Sequence, residues 1–167
     1  MSKFNFDVEI NYMGETFSIN LDSSNCSNDD ILSELQDLFK QHLEEQEIET
    51  DEQSEFSEDF SIENWGDVPK FLQDLETLQD FLENSSDYYG IEVYEAAAEL
   101  DIPFSDVEEA YSGEFDSDED FARNMAEETG AINNDLSWPY TCIDWEFAAK
   151  ELMYDYCEAN NHYFRNI

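Results

Sequence analysis

Asp116, Asp118, Asp120 and Glu127 stand at the first, third, fifth and twelfth places of one stretch. An EF-hand loop directs carboxylate oxygens at calcium from those same places. The sixth place of such a loop needs glycine for its sharp turn, and here it holds Phe121. A bulky apolar residue suits instead the first inward position of a helix capped by Asp116 or Ser117, with the acids of the first turn favoured by the helix dipole. No metal and no cofactor are expected.

Other catalytic chemistry has little to work with. The two histidines, His42 and His162, have no partner at zincin or triad spacing. The glycines are isolated, so no phosphate-cradling loop is legible. Paired carboxylates could serve glycoside hydrolysis, but among 44 acids such pairs arise everywhere and carry no signal. A non-enzyme is expected.

What remains is the charge itself. The chain has 167 residues, and 44 Asp plus Glu face only Lys3, Lys40, Lys70, Arg123, Lys150 and Arg165, a formal net charge of -38. So acidic a chain is often disordered, because self-repulsion opposes compaction. Aromatic content decides otherwise: 13 Phe, 9 Tyr and 3 Trp run from Phe4 to Phe164, enough apolar area for a core. Direct nucleic-acid binding is excluded, since six scattered cations cannot neutralise phosphates that the carboxylates repel. Anionic membranes are repelled as well, and no apolar run reaches the roughly 20 residues a span needs. Three cysteines, Cys26, Cys142 and Cys157, show no CxxC spacing, and no apolar leader follows a basic start, so a cytoplasmic location is expected. The partners that the field favours are basic proteins, metal cations, or protein clefts built to hold nucleic acid. Duplex DNA carries one charge per about 1.7 Å of axis, so 38 charges match roughly 65 Å of duplex. A compact globule of this length is only about 40 Å across.

The elements that must position these acids follow from periodicity. Phe4, Phe6, Val8, Ile10 and Tyr12 alternate with polar residues, Met13-Gly14-Glu15 turns, and Phe17, Ile19 and Leu21 alternate again, so residues 3–22 read as a β-hairpin. An isolated hairpin is marginal in water. The stripe Ile31, Leu32, Leu35, Leu38, Phe39 and Leu43, opened by Ser27 and Asp30, reads as a helix that covers it. Residues 44–59 hold nine carboxylates and two large apolar residues, Ile48 and Phe56, and read as an acidic linker.

A helix is expected from Val68-Pro69, with Phe71, Leu72, Leu75, Leu78, Phe81 and Leu82 on one face and Asn84-Ser85-Ser86 as its stop. Tyr88–Leu100 reads as a second helix ended by Pro103, and Ser105–Tyr111 as a helical turn closed by Gly113. Short helices with short connections predict an antiparallel bundle. Phe121, Ala122 and Met125 mark a further helix stopped by Gly130. The last helix is expected from about Ile143 to Cys157, followed by a terminal strand at Tyr163-Phe164.

The expected fold is therefore α+β and mostly helical: an N-terminal hairpin-and-helix domain with its acidic linker over 1–60, a central helical domain over 61–113 and a small α+β domain over 114–167. Within it, Asp101, Asp106, Glu108, Glu109, Glu114, Asp116, Asp118, Glu119, Asp120, Glu127 and Glu128 are interleaved with the apolar positions that fix their helices. This set is the expected partner-binding surface, because carboxylates held on a scaffold can capture the cations of a DNA-binding cleft without offering bases to read.

The stretch Ala110-Tyr111-Ser112-Gly113-Glu114-Phe115-Asp116-Ser117-Asp118-Glu119-Asp120-Phe121-Ala122 resembles a segment of the ArdA-type antirestriction proteins of plasmids, conjugative transposons and phages. Ala126-Glu127-Glu128-Thr129-Gly130 is similar to the end of that family's acidic helix, and Ile143-Asp144-Trp145-Glu146-Phe147-Ala148-Ala149-Lys150-Glu151-Leu152 to another of its helices. His162-Tyr163-Phe164-Arg165-Asn166 resembles the family as well. The resemblance covers roughly residues 68–167; the Phe4–Leu21 hairpin and the acidic linker depart from it. It implies an elongated, often dimeric mimic of B-DNA that occupies the DNA-binding groove of type I restriction-modification enzymes in the host bacterial cytoplasm. Two other readings compete: an acidic chaperone for histone-like basic proteins, and a halophile surface with no partner.

Overall fold

A computed structural model describes residues 4–12, 15–22, 60–86, 88–132, 137–138 and 141–167. The chain is α+β. Among the described residues it has five α-helices and two three-stranded antiparallel sheets, divided between two compact units, Met1–Tyr88 and Tyr89–Ile167.

In the first unit, strands β1 (Asn5–Tyr12) and β2 (Glu15–Asp22) form the expected hairpin, with Tyr12 opposite Glu15 and Asn5 opposite Asp22. Strand β3 (Phe60–Asn64) adds to the free edge of β1, giving the order β2-β1-β3. The alternation along β1 is realised as written: Phe4, Phe6, Val8 and Ile10 are buried, while Asn5, Asp7 and Glu9 are exposed. On the exposed face, amides sit between carboxylates that would otherwise repel across the strands. Asn11 Nδ2 donates to Glu63 (2.9 Å), Asn64 Nδ2 to Glu9 (3.0 Å) and Asn20 Nδ2 to Asp7 (2.7 Å).

The buried face is met by helix α1 (Leu75–Asn84), whose Leu78, Phe81 and Leu82 are buried. The Phe81 ring lies 4.8 Å from that of Phe4, edge-on, and 6.4 Å from that of Phe6. Full burial of such a side chain contributes roughly 2–3 kcal/mol. The helix expected over residues 27–43 and the linker over 44–59 lie outside the described residues. The helix expected from Val68-Pro69 is two elements instead, a 3₁₀ turn at Lys70–Leu72 and then α1. The break falls at Asp74, whose extended backbone and side chain, accepting from Thr77 N at 3.1 Å, cap a new N-terminus.

The turn after β3 depends on Gly66, at φ +57°, where a Cβ would collide with the backbone carbonyl oxygen of Asp7. Both the left-handed conformation and the close approach require glycine. Gly66→Ala is expected to destabilise the first unit by about 2 kcal/mol or more, measured by urea denaturation. A loss indistinguishable from zero would show that the turn relaxes freely.

In the second unit, helix α2 (Ile91–Glu99) buries Val93, Tyr94, Ala96 and Ala97. A 3₁₀ turn at Phe104–Asp106 leads into the one-turn helix α3 (Val107–Ala110), then strand β4 (Tyr111–Glu114) and helix α4 (Asp118–Glu128). Helix α5 (Trp145–Leu152) and the hairpin of β5 (Tyr156–Ala159) and β6 (His162–Arg165) complete it. The sheet order is β4-β6-β5, with Tyr111 opposite Phe164 and Glu158 opposite Tyr163. Central β6 has His162, Tyr163 and Phe164 all buried, so it is packed on both faces. On one, Phe121 of α4 stacks on Tyr163 at 4.5 Å and meets Tyr156 at 5.0 Å. On the other, Tyr111 lies 5.4 Å from Phe164 and 5.3 Å from Tyr89.

Several expectations are corrected here. Tyr111–Gly113 is strand rather than the end of a helical turn, because pairing with β6 outweighs one more turn of a very short helix. The last helix stops at Leu152, and Tyr156 and Cys157 belong to β5. Asn160 and Asn161, both left-handed (φ 52° and 67°), make the two-residue connection of a hairpin that the helical reading of 143–157 obscured. In place of a central helical bundle, among the described residues α2 packs against β5 and β6, α3 against β6, and α4 against α5. Strand β3 pairs with β1 within Met1–Tyr88, and β4 with β6 within Tyr89–Ile167. No helix among the described residues is long and apolar enough to cross a membrane.

Candidate partner-binding surface

All eleven carboxylates singled out from the sequence fall in the second unit, which carries twenty acids against Arg123, Lys150 and Arg165, a formal net of -17. Asp101, Glu108, Glu109, Glu114, Asp116, Asp118, Glu127 and Glu128 are exposed, and Asp106, Glu119 and Asp120 are half-buried. Some of them sit beside buried residues. Glu108 and Glu109 lie between buried Val107 and Ala110; the first-turn acids of α4 precede buried Phe121 and Ala122. These acids project from helices whose neighbouring residues are buried.

Local chemistry assigns some of them further duties. Ser117, rather than Asp116, caps α4, its side chain accepting from Asp120 N at 3.2 Å. With a helix from Asp118 and Phe121 fully buried, residues 116–127 do not have the geometry of a calcium loop. Among the described residues no group of three or more His, Cys, Asp or Glu side chains is arranged to hold a metal ion. Asp120 pairs with Arg123 at 3.2 Å, an exposed i,i+3 contact of little energetic weight. Asp101 adopts φ +57° and ends α2: its N-H bonds Ala98 O at 3.2 Å, and the next N-H, of Ile102, bonds Ala97 O at 2.9 Å. Glu127 and Glu128 stand at the C-terminal end of α4, where the helix dipole disfavours anions. Helix stability gives no reason for them there.

Two tyrosines gather carboxylates from separate elements. The Tyr163 hydroxyl donates to Asp118 at 2.7 Å. Burial, that hydrogen bond and the charges of Asp118, Glu158 and Glu119 all push its ionisation above the ordinary value of 10. Tyr111 is raised by burial first and then by Glu114, Glu92 and Tyr89, and its hydroxyl lies 3.0 Å from His162 Nδ1. Glu92 and Glu158 therefore join the acidic surface, though neither was among the eleven. Glu158 also accepts from Asn161 N at 2.7 Å, and Glu99 from Asn160 Nδ2 at 3.1 Å, so the hairpin turn ties down two more acids. Their signal in the sequence was the Asn-Asn turn, which places β5 beside β6. In the first unit, Asp7, Glu9 and Glu63 on the sheet and Glu76, Asp80 and Glu83 on α1 are exposed acids that an emphasis on residues 99–128 passed over.

The raised Tyr163 ionisation makes a prediction with a definite sign. The folded state favours the neutral phenol, so its contribution is complete below pH 10 and falls as pH rises beyond that, where the unfolded chain ionises first. Tyr163→Phe is expected to lose about 1 kcal/mol at neutral pH with the hydrogen bond to Asp118. The decline in stability above pH 10 should become shallower in this variant. Parallel pH profiles of the two proteins in urea denaturation would contradict this.

Comparison of the chain with protein-family models, with curated proteins and with solved structures finds no match.

Proposed function

We propose that the chain is an antirestriction protein that acts as a B-DNA mimic, occupying the DNA-binding groove of a type I restriction-modification enzyme or a related host-defence nuclease. The observation that carries this reading is a formal charge of -38 on a chain that nevertheless buries a core, with the acids of α3 and of the first turn of α4 set next to buried Val107, Ala110 and Phe121. A groove that binds duplex gains much of its affinity from counterions released when its Lys and Arg meet phosphate. Fixed carboxylates meet the same cations. The placement of Glu127 and Glu128 against the field of their own helix supports a purpose other than stability. The resemblance over residues 68–167 supports the choice of target, and the reading extends to the elongated, often dimeric form that the resemblance implies.

Displacement tests the proposal. Titrated at low salt into a type I enzyme core holding labelled duplex, the protein should release the DNA at near-stoichiometric ratio, and the effect should weaken as salt rises. Unchanged DNA binding at excess protein would remove the type I assignment. Broad binding of many unrelated basic proteins from a host lysate, with no single tight partner, would favour an acidic chaperone instead.

A further inference from the structure

Helix α5 and the turn after it present a face on which acids and aromatic rings alternate. Phe147 and Glu151 stand one turn apart on α5; Asp144 caps its N-terminus, one side-chain oxygen accepting from Phe147 N at 3.1 Å, and Tyr154 follows in the turn beyond Leu152, three residues after Glu151. All four are exposed, Phe147 by 60% and Tyr154 by 70%. The chain buries Phe81, Phe121 and Phe164 completely, whereas Phe147 and Tyr154, like Tyr88 and Trp138, leave their rings in water, and these two stand beside acids. Charge restricts what this face can hold. A unit with a net of -17 repels nucleic acid and anionic lipid, and attracts a basic protein.

The same unit holds an internal example of ring and carboxylate used together. The Arg123 guanidinium lies 5.3 Å above the Trp145 ring and 3.2 Å from the Asp120 carboxylate. A guanidinium offers N-H groups at its edge to a carboxylate and its flat face to a ring at the same time; an ammonium is a compact charge with no such face. We propose that the Asp144, Phe147, Glu151 and Tyr154 face of α5 receives arginine side chains of a basic partner, with the rings supplying selectivity for arginine over lysine. Lys150, the one cation in α5, lies between Phe147 and Glu151 in sequence and opposes an incoming guanidinium. The inference shares with the DNA-mimic reading only its need for a cationic partner. Carboxylates alone would rank partners by charge, whereas this face ranks them by residue type.

The test uses the full chain and two peptides of equal length and charge, oligoarginine and oligolysine, titrated calorimetrically at matched salt. The arginine peptide is expected to bind about fivefold more tightly. That preference should vanish in the double variant Phe147→Ala with Tyr154→Ala and survive when both positions are Trp. Lys150→Glu should strengthen binding of the arginine peptide. Because both rings are exposed, the alanine variant should keep the native circular dichroism spectrum. Equal affinity for the two peptides, or a preference unchanged in the alanine variant, overturns the proposal. Duplex displacement measured alongside separates the two readings. A chain that fails to displace DNA yet keeps a ring-dependent arginine preference loses the mimic reading alone, and one that displaces DNA with no such preference loses this inference alone.

Discussion

Replacing Glu108, Glu109, Asp116, Glu119, Glu127 and Glu128 together by their amides is expected to reduce displacement of duplex DNA by about a thousandfold at low salt. The magnitude follows from counterion release. A binder that neutralises about six phosphates loses roughly 10³ in affinity between 50 and 200 mM salt, and a mimic meeting the same cations with carboxylates inherits that dependence. Amides keep the size and shape of each side chain, so the variant should fold while its salt dependence flattens. Single changes behave differently. Glu109→Gln or Asp118→Asn alone should alter displacement by less than about fivefold, because each exposed ion contact is worth about 1 kcal/mol or less. A collapse of inhibition in any one of the single variants would replace a distributed charge surface with a hot-spot interface. Full inhibition by the sixfold variant would mean that other acids carry the contact, the sheet face of Asp7, Glu9 and Glu63 being the next to test.

Phe121→Ala is expected to cost about 3–5 kcal/mol of stability in the second unit. The ring is fully buried, stacked on Tyr163 at 4.5 Å, 5.0 Å from Tyr156 and 5.1 Å from Phe115. Its removal leaves a cavity among three other rings, two of them held by strands, that cannot close in fully. Given the few kcal/mol by which domains are stable, much of the population should unfold at moderate urea. Inhibition should fall in proportion to the folded fraction, although no carboxylate has changed. Phe121→Leu, which keeps most of the volume, should lose clearly less. A loss of under about 1 kcal/mol for the alanine variant, read from the urea midpoint, would show that α4 is not held through this ring.

The two predictions separate display from scaffold, and the sequence speaks unequally about them. The β1–β2 hairpin was legible because period-two alternation of Phe4, Phe6, Val8 and Ile10 with polar residues has only one buried solution. Helix α4 was legible because Ser117, the acids after it and Gly130 mark both of its ends locally. The strand β4 was not, since Tyr111-Ser112-Gly113-Glu114 follows a helical turn and has no alternation of its own. It is extended because β6, some fifty residues later, offers hydrogen bonds to it. Strand β5 was hidden for a related reason: Leu152, Met153 and Tyr156 sustain a helical spacing across a boundary that the Asn160-Asn161 turn decides.

By itself the sequence determined the sign and size of the field, the presence of a core, and the interleaving of acids with apolar residues along 99–128. These depend on composition and on contacts within a few residues, which the order of the side chains states directly. Only the tertiary structure decided which acids meet. Asp118 meets the Tyr163 hydroxyl of β6, and Glu99 of α2 meets Asn160 of the turn between β5 and β6. Strand pairing between distant segments sets those meetings, and its energy comes from partners that no local window contains.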